Sequence, residues 1–298
     1  MSDVFQVHVQ TSCLGETLEL ADNSFVLAPG ATYTAEWAVV PTESGNFWDF
    51  VNAARRVRDV NFTLPYQTGF LRAGPKHDGG SWPENRVRDF LVNKSLHLSS
   101  AANGYPLFNG MAPYSTSFQK VDHSIYAREF AQRKMLVPGL RNVVYYHCFI
   151  ANFPGDEVRF KDAAVLKADG TQMDYGGILA YDKIYFPSDT NAFGKETAKN
   201  VDLIFDACEA DGVFWDEMEY CRSEYHYGEP WDGVSGDIDP DSGRLLRKKS
   251  SVAILSQAFR LALARKILER GALFANGSPH TRTIANLKIQ RFTETGTI

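Results

Sequence analysis

The chain of 298 residues predicts an α/β fold, in which the strands of a parallel sheet alternate with helices. The apolar run 142–150 is rich in β-branched and aromatic residues, which is typical of a strand buried on both faces, and the run 272–276 is predicted as another strand. Between such runs lie segments with apolar residues at helical spacing, for example 196–210. Since parallel strands are joined by right-handed crossovers, we expect these elements to build one continuous sheet.

Residues 1–45 are predicted to form a separate β-rich segment, such as the end of a β-sandwich. Residues 5–10 and 32–40 alternate between apolar and polar side chains, and Ala28-Pro29-Gly30 is typical of a turn. This alternation favours an antiparallel β segment with one face on a core.

Helices are expected from about Asn46 onward. Apolar residues recur at intervals of three and four from Phe47, and Pro83 suits the first turn of a helix. Gly212 and Gly271 end two further helices, because glycine readily adopts the backbone conformation of a helix C-cap. The predicted helices after the first cover residues 83–92, 121–134, 196–210 and 250–271.

Six strands of this α/β pattern can be counted, centred near residues 70, 97, 146, 214, 274 and 291. A complete (β/α)8 barrel of the TIM type has eight strands and about 250 residues. We therefore expect residues 46–298 to form such a barrel in incomplete form, apparently truncated after its sixth strand. A missing polypeptide or a partner would then complete the barrel.

Composition excludes several classes of protein. The net charge is −5 and the basic run 247–249 stands alone, which argues against a nucleic-acid partner. No run of about 18 apolar residues predicts a membrane span, and no signal peptide is visible at the N-terminus, so the localisation stays open. The four cysteines are scattered without a C-x-x-C pair, which disfavours a disulfide scaffold or a cysteine zinc site. Nucleotide-binding glycine motifs are missing, and no cofactor is expected.

The most informative segment is 211–219, an apolar strand that ends in acidic residues. Side chains alternate along a strand, so Phe214 and Asp216 share one face, while Trp215 and Glu217 share the other. If Phe214 fills the barrel interior, Asp216 lies at the mouth on the same face. Glu217 would then point toward the helices unless the chain has already turned.

The same ending recurs on neighbouring strands. An apolar residue is followed two positions later by a polar one on four successive predicted strands, which places His147, Asp216, Asn276 and Glu294 at their carboxyl ends. Active sites of barrels form at this end of the strands. We therefore expect a polar cup above the barrel core.

Two carboxylates across a cleft are the minimum requirement for glycoside hydrolysis. One carboxylic acid protonates the leaving oxygen, and the other attacks the anomeric carbon or activates water. We expect Glu294, near Phe292, to be the acid and Asp216 to be the ionised nucleophile or base. The alternative is structural, because both acids could cap helices or pair with Arg282 or Arg291.

Three short motifs resemble a known family. Asp211-Gly212-Val213-Phe214-Trp215-Asp216, then Ala275-Asn276-Gly277, then Phe292-Thr293-Glu294-Thr295 are similar in order to motifs of the endo-α-1,4-polygalactosaminidase family and related glycosyl-hydrolase families. The resemblance covers roughly residues 140–298. It implies a (β/α)8 glycosidase whose acids lie on strands four and six, here Asp216 and Glu294. The long segment 219–249 and the N-terminal strands depart from that family, so its substrate is not carried over.

Other residues are candidate carbohydrate contacts, because aromatic rings stack on sugars and polar groups bind hydroxyls. The candidates that lie on loops after strands can also be hydrophobic anchors of those loops. His147 can equally be a hydrogen-bonded strand residue. The candidates are His147, Tyr175, Trp215, Glu217, Trp231, Asp232, Asn276 and Arg282.

Two rival functions remain open. A non-catalytic carbohydrate-binding barrel would keep the aromatic loops without converging acids. A metal-dependent barrel enzyme would place a divalent ion near Asp216, Glu217 and Glu219. The segment 237–243 also carries alternating acids like a calcium loop, but its glycine is one place late, and turns closed by its aspartates are expected instead.

Overall fold

The computed structural model describes residues 3–15, 17–71, 81–101, 113–176, 182–219 and 224–293. The strands are β1 Gln10–Leu14, β2 Thr17–Ala21, β3 Thr68–Phe70, β4 Leu98–Ala101, β5 Arg141–Tyr146, β6 Ile150–Ala151, β7 Lys183–Ile184, β8 Gly212–Trp215, β9 Tyr225–His226, β10 Gly236–Ile238, β11 Leu245–Lys248, β12 Ser250–Ser251, β13 Ala272–Asn276 and β14 Gln290–Phe292. The helices are α1 Asp3–His8, α2 Phe47–Val57, α3 Glu84–Asn93, α4 Ser124–Leu136, α5 Asp156–Arg159, α6 Ala192–Asp206, α7 Val252–Leu255, α8 Gln257–Arg270 and α9 Arg282–Ala285, with 3-10 turns at Ser115–Lys120 and Lys161–Ala163.

The central sheet has six parallel strands in the order β14-β13-β8-β5-β4-β3. These are the six strands counted in the sequence, so the predicted α/β architecture is confirmed. Within the described chain the helices α3, α4, α6 and α8 precede successive strands of this sheet. The predicted helix 250–271 is interrupted at Ser256, which separates α7 from α8.

The sheet is curled into a half-barrel. Phe70 on β3 and Phe292 on β14 belong to the two edge strands, yet their ring centroids lie 5.6 Å apart. Next to them, the side chain of Gln290 binds the backbone of Tyr66. A flat sheet of six strands would hold its edges more than 20 Å apart, at about 4.8 Å per strand. The curl therefore brings the two edges into side-chain contact.

The two faces of the sheet bury different side chains. The concave side is lined by aromatic rings in contact with one another, namely Phe70, Tyr145, Phe214, Phe274 and Phe292. The convex side carries the alternate residues, such as Tyr146 and Trp215, whose rings meet at 5.1 Å beneath the helices. The curved sheet thus presents an aromatic floor on one side and a helix-covered core on the other.

The N-terminal part is antiparallel, as predicted, but its strands lie elsewhere. β1 and β2 form a hairpin over residues 10–21, whereas residues 5–10, predicted as a strand, are mostly the helix α1. α1 packs on α7 and α9, and Asp3 accepts hydrogen bonds from the backbone N–H and hydroxyl of Thr283. These tertiary contacts outweigh the local alternation. Residues 32–40, also predicted as a strand, are irregular and lie outside every ladder of the described chain.

Helix α2 follows the predicted spacing but is only partly covered. Asn46 caps its N-terminus, since its side chain accepts a hydrogen bond from the backbone of Trp48 at 2.8 Å. Ala53 is buried, while Phe47 and Phe50 remain largely exposed.

Over the residues that the structure describes, no helix has the length and apolar character to cross a bilayer.

Candidate active site

Asp216 lies at the carboxyl end of β8 and is held by three hydrogen-bond donors. The Tyr145 hydroxyl donates to Oδ2 at 3.0 Å, and the Asn276 amide donates to Oδ1 at 2.7 Å. The backbone N–H of Glu217 donates to Oδ1 at 3.1 Å. Tyr145 and Asn276 belong to the strands on either side of β8, so the parallel register itself brings these groups together.

Tyr145 connects the carboxylate to the aromatic floor. Its ring packs against Phe214 at 5.7 Å, and its hydroxyl points to Asp216. Burial raises the pKa of Tyr145 well above its ordinary value, and the neighbouring Asp216 and Tyr114 raise it further. The phenol therefore keeps its proton at neutral pH and acts as a donor to the carboxylate.

Glu217 does not point toward the helices, because the chain has already turned. Its φ of 44° lies in the left-handed region, which is unusual for a residue other than glycine. Its carboxylate accepts from the Tyr175 hydroxyl at 2.8 Å and contacts His147 Nε2 at 3.1 Å. A quarter of the side chain remains exposed.

Glu219, three residues after Asp216, is turned away into a buried ion-pair network. Its side chain is 1% exposed and contacts Arg260 Nη1 at 2.7 Å and Arg291 Nη2 at 2.8 Å. Burial acts to raise the pKa of Glu219, but Arg260 and Arg291 outweigh it and hold the pKa below its ordinary value. The network ties α8 and β14 to the segment after β8, so Glu219 serves the structure of the cup.

Sequence reasoning missed Asp182, a buried carboxylate beside this group. It precedes β7 and pairs with Tyr175, whose backbone N–H donates to its carbonyl at 3.0 Å. Asp182 is 4% exposed, and its Oδ2 has no hydrogen-bond partner among the described residues. Burial raises its pKa, although Asn152 and His147 lower it in part. In the sequence, Asp182 is one aspartate within the long segment 151–195, which is its only signal.

Three of the expected carbohydrate contacts have partners within the protein. Trp215 is fully buried on the convex side, away from the cup. The Trp231 indole donates to Ser235 O at 2.8 Å, and Lys248 Nζ lies 4.4 Å from the centroid of its ring. Asp232 accepts hydrogen bonds from the backbone of Val234, Ser235 and Ser251 and from the hydroxyl of Ser235. Trp231 and Asp232 therefore help to anchor their loop, and their role as carbohydrate contacts stays a prediction.

Arg282 lies on α9, outside the cup. Its guanidinium pairs with Glu36 at 3.2 Å. It lines a cavity of about 700 Å³ between residues 36–64 and α9, together with Trp37 and Phe62. None of the described acids of the cup lines this cavity. The structure thus separates Arg282 from Asp216.

The remaining predicted acid, Glu294, lies outside the described residues. Phe292, two positions earlier, pairs in register with Asn276, the residue that binds Asp216.

Among the described residues no group of three or more His, Cys, Asp or Glu side chains is arranged to hold a metal ion. In the segment resembling a calcium loop, Asp239 accepts hydrogen bonds from the backbone of Asp241 and Ser242, as in the turns expected there.

Comparison with known proteins gives remote structural likeness. No protein-family model matches the chain, and no curated protein matches it in sequence. An alpha-galactosidase from Thermus thermophilus, solved with p-nitrophenyl alpha-D-galactopyranoside, is 13% identical with a TM-score of 0.43, covering 81% of this chain and 44% of its own. A cycloisomaltooligosaccharide glucanotransferase from Paenibacillus sp., solved with cycloisomaltoheptaose, is 9% identical with a TM-score of 0.42, covering 70% and 30%.

A third structure is the cycloalternan-degrading enzyme from Trueperella pyogenes, at 12% identity and a TM-score of 0.40. The alignment covers 82% of this chain and 36% of that one. All three neighbours are carbohydrate-active enzymes by name, and this chain spans less than half the length of each.

Proposed function

We propose that the cup at the carboxyl end of the half-barrel is the active site of a glycoside hydrolase acting on an oligo- or polysaccharide. The observation that carries this proposal is the fixation of Asp216 by Tyr145, Asn276 and the Glu217 backbone. Asp216 remains partly exposed above the aromatic floor. A carboxylate with one fixed orientation is what nucleophilic attack on an anomeric carbon, or activation of a water beside it, requires.

Asp216 is the nucleophile or base in this proposal, and Glu294 is the acid. Glu294 is proposed for this role because of its position in the sequence, two residues after Phe292, which pairs with Asn276. A carboxylic acid on the strand next but one to β8 would lie across the cup from Asp216, because side chains at the carboxyl ends of parallel strands converge. Protonation of the leaving oxygen is its task.

Glu217, His147 and Tyr175 are the proposed carbohydrate contacts, together with Asn276. The Glu217 carboxylate accepts a hydrogen bond from Tyr175 and contacts His147, and a carboxylate oxygen can accept from more than one donor. Sugar hydroxyls are donors of this kind. Of the aromatic floor, Phe70 is exposed and Phe292 partly exposed, and the apolar faces of sugar rings can pack on such aromatic side chains.

A panel of aryl α- and β-glycosides and natural polysaccharides, assayed with the full chain, tests the proposal. We expect Asp216→Asn to reduce cleavage to the background rate while the melting temperature stays nearly unchanged. Asp189→Asn, an exposed aspartate before α6, is the matched control and should retain full activity. Retained cleavage by the Asp216 variant would refute the assignment. Carbohydrate binding by the native chain without any cleavage would instead favour the binding barrel.

A further inference from the structure

We propose that the cavity of about 700 Å³ between residues 36–64 and α9 is a binding site for an organic anion with an apolar body. The proposal goes beyond the proposed function, because none of the described acids of the cup lines this cavity. Its volume lies within the range of about 300–1,000 Å³ that is usual for small-molecule sites in proteins. Its walls combine apolar side chains with cationic ones, which is the chemistry that such a ligand requires.

Part of the cavity wall is an apolar surface that is exposed to solvent. Trp37, Val57 and Leu64 line the cavity, and each is exposed over more than half of its surface. Val57 is the last residue of α2, and Leu64 lies in the irregular segment that follows. From the other end of the chain, Ile289 also lines the cavity, just before β14. Large apolar side chains that are exposed together around a concavity typically mark a binding site for apolar groups.

The charged side chains that line the cavity are mostly cationic. Four of them are basic and two are acidic, namely Arg58, Arg282, Lys288 and Arg291 against Glu36 and Asp59. Glu36 pairs with Arg282 at 3.2 Å. Asp59 pairs with Lys288 at 2.7 Å. The lining therefore carries an excess of positive charge, and a concavity with charges of one sign in excess attracts ligands of the opposite sign.

The other two basic groups account for this excess. Arg291 pairs with Glu219, a carboxylate that Arg260 already neutralises. Partial burial and the charge of Arg282 lower the pKa of Arg58 from its ordinary value, so like charges meet at this cavity. A bound anion would relieve the repulsion between these guanidinium groups.

Arg282 is the expected partner of the anionic head group, because it already holds a carboxylate. Its guanidinium pairs with Glu36, and both side chains of this pair are more than half exposed. Exposed ion pairs contribute little free energy, so a ligand can replace Glu36 at low cost. A guanidinium binds a carboxylate with two parallel hydrogen bonds, which fixes the orientation of the ligand as well.

The lining favours an anion over an uncharged ligand such as a neutral sugar. Apart from the Trp37 indole, Asn286 is the only uncharged polar side chain among the described lining residues. An uncharged ligand that filled the cavity would remove water from the arginines without supplying a counter-charge, which costs free energy. An anion supplies that counter-charge. The cavity thus differs in chemistry from the cup, where Asp216 and Glu217 are acidic.

The test is isothermal titration calorimetry of the full chain with two anions and their uncharged isosteres. Naphthalene-2-carboxylate has an aromatic body and octanoate an alkyl chain, and the isosteres are naphthalene-2-carboxamide and octanamide. We expect at least one anion to bind, and its amide to bind about tenfold more weakly or less, since a hydrogen bond to a charged group is lost. The tighter of the two anions identifies the body that fits. No binding of either anion, or equal affinities of an anion and its amide, would overturn the proposal.

Substitutions at the cavity locate the binding site. Arg58→Gln and Arg282→Gln should each weaken the binding of the anion by about fivefold or more, because each removes a charged donor. Arg265→Gln changes an exposed arginine on α8 that does not line the cavity, so it is the matched control and should leave the affinity unchanged. If both cavity variants bound the anion as tightly as the control, the site would lie elsewhere and the proposal would be refuted.

Glu36→Gln covers the case in which an arginine variant does not fold. Removing this carboxylate leaves Arg282 to the ligand, so the anion should bind about twofold more tightly or better, while the affinity of its amide stays the same. A folding defect cannot produce such a gain. Glu43→Gln, an exposed glutamate of the same segment outside the lining, is the control. Equal affinities of these two variants for the anion would refute the placement at Arg282. Since no measurement uses turnover, the result is independent of glycan cleavage.

Discussion

Gln290 binds both backbone polar groups of Tyr66, across 224 residues of sequence. Its Nε2 donates to the Tyr66 carbonyl at 2.8 Å, and its Oε1 accepts from the Tyr66 N–H at 3.2 Å. The Gln290 amide thus makes the two hydrogen bonds that the backbone of a neighbouring strand would make. It does so at the seam between β14 and the segment before β3. Together with the contact of Phe70 and Phe292, it holds the curl of the sheet and hence the shape of the cup.

Gln290→Ala should therefore loosen this seam. Two hydrogen bonds are lost and a side chain with 6% exposure is truncated, so we expect a loss of about 1–2 kcal/mol in the free energy of unfolding. Urea unfolding followed by circular dichroism measures this loss. Gln132→Ala removes an exposed amide contact with Glu84 and is the control, with an expected change within about 0.5 kcal/mol. Equal stability of both variants would show that the seam does not hold the sheet.

The six strands and the placement of Asp216 and Asn276 could be predicted from the sequence, because both follow from local rules. Apolar runs indicate buried parallel strands, and the alternation of side chains assigns each residue to a face. Residues at the carboxyl ends of neighbouring strands must then meet, and Asn276 does donate to Asp216. His147, by contrast, contacts Glu217, which alternation assigns to the other face.

What could not be predicted depends on tertiary contacts. The left-handed backbone of Glu217 reverses the direction that strand alternation assigns to it. Gln290 reaches Tyr66 only through the curl of the sheet. Alternation over residues 5–10 was misleading, because α1 is stabilised by contacts with helices far along the chain.

The close approach of β8 and β13 at Gly212 gives a second prediction. A Cβ at this position would lie 2.2 Å from the backbone oxygen of Ala272, so the two strands would have to move apart. We expect Gly212→Ala to cost about 1–3 kcal/mol, as overpacking does. It should also weaken carbohydrate cleavage, since Asp216 and Asn276 lie at the far ends of these strands.

Gly45→Ala is the matched substitution for this experiment. Nothing lies within 4 Å of a Cβ at Gly45, and we expect its stability to change by less than about 0.5 kcal/mol. Thermal unfolding of both variants is the measurement. If Gly212→Ala were as stable as Gly45→Ala, the spacing of β8 and β13 would not be critical.

The buried pair of Glu219 and Arg260 gives a prediction about stability and pH. Glu219→Gln leaves Arg260 buried without its counter-charge, which typically costs about 3–5 kcal/mol. The pKa of Glu219 is held below its ordinary value of 4.5 by Arg260 and Arg291, against the effect of burial. Its contribution is therefore present above pH 4.5 and lost as the pH falls through the pKa of the folded state.

Urea unfolding at pH 7 and at decreasing pH values below 4.5 measures this dependence. The native chain should lose more stability toward low pH than Glu219→Gln, because the variant no longer titrates at this position. Glu269→Gln, an exposed glutamate on α8, should keep the pH dependence of the native chain. A parallel decline of the native chain and Glu219→Gln would place the acid sensitivity elsewhere.

The pKa of Asp182 is shifted in the opposite direction from that of Glu219, and this gives the last prediction. Burial raises its pKa above the ordinary value of 3.8, with Asn152 and His147 offsetting part of the effect. The folded state then binds a proton more tightly than the unfolded state, so the stability that protonated Asp182 provides at low pH is lost as the pH rises through the folded pKa.

The substitution Asp182→Asn keeps the shape of the side chain and removes its charge. We expect the variant to be more stable than the native chain at pH 7, and the difference to vanish as the pH falls toward 3.8. Denaturant midpoints across this range, with Asp174→Asn as the control, measure the effect. A variant less stable at neutral pH would mean that the ionised carboxylate is needed to hold the backbone pairing of Asp182 with Tyr175, because only then would its charge outweigh the cost of burying it.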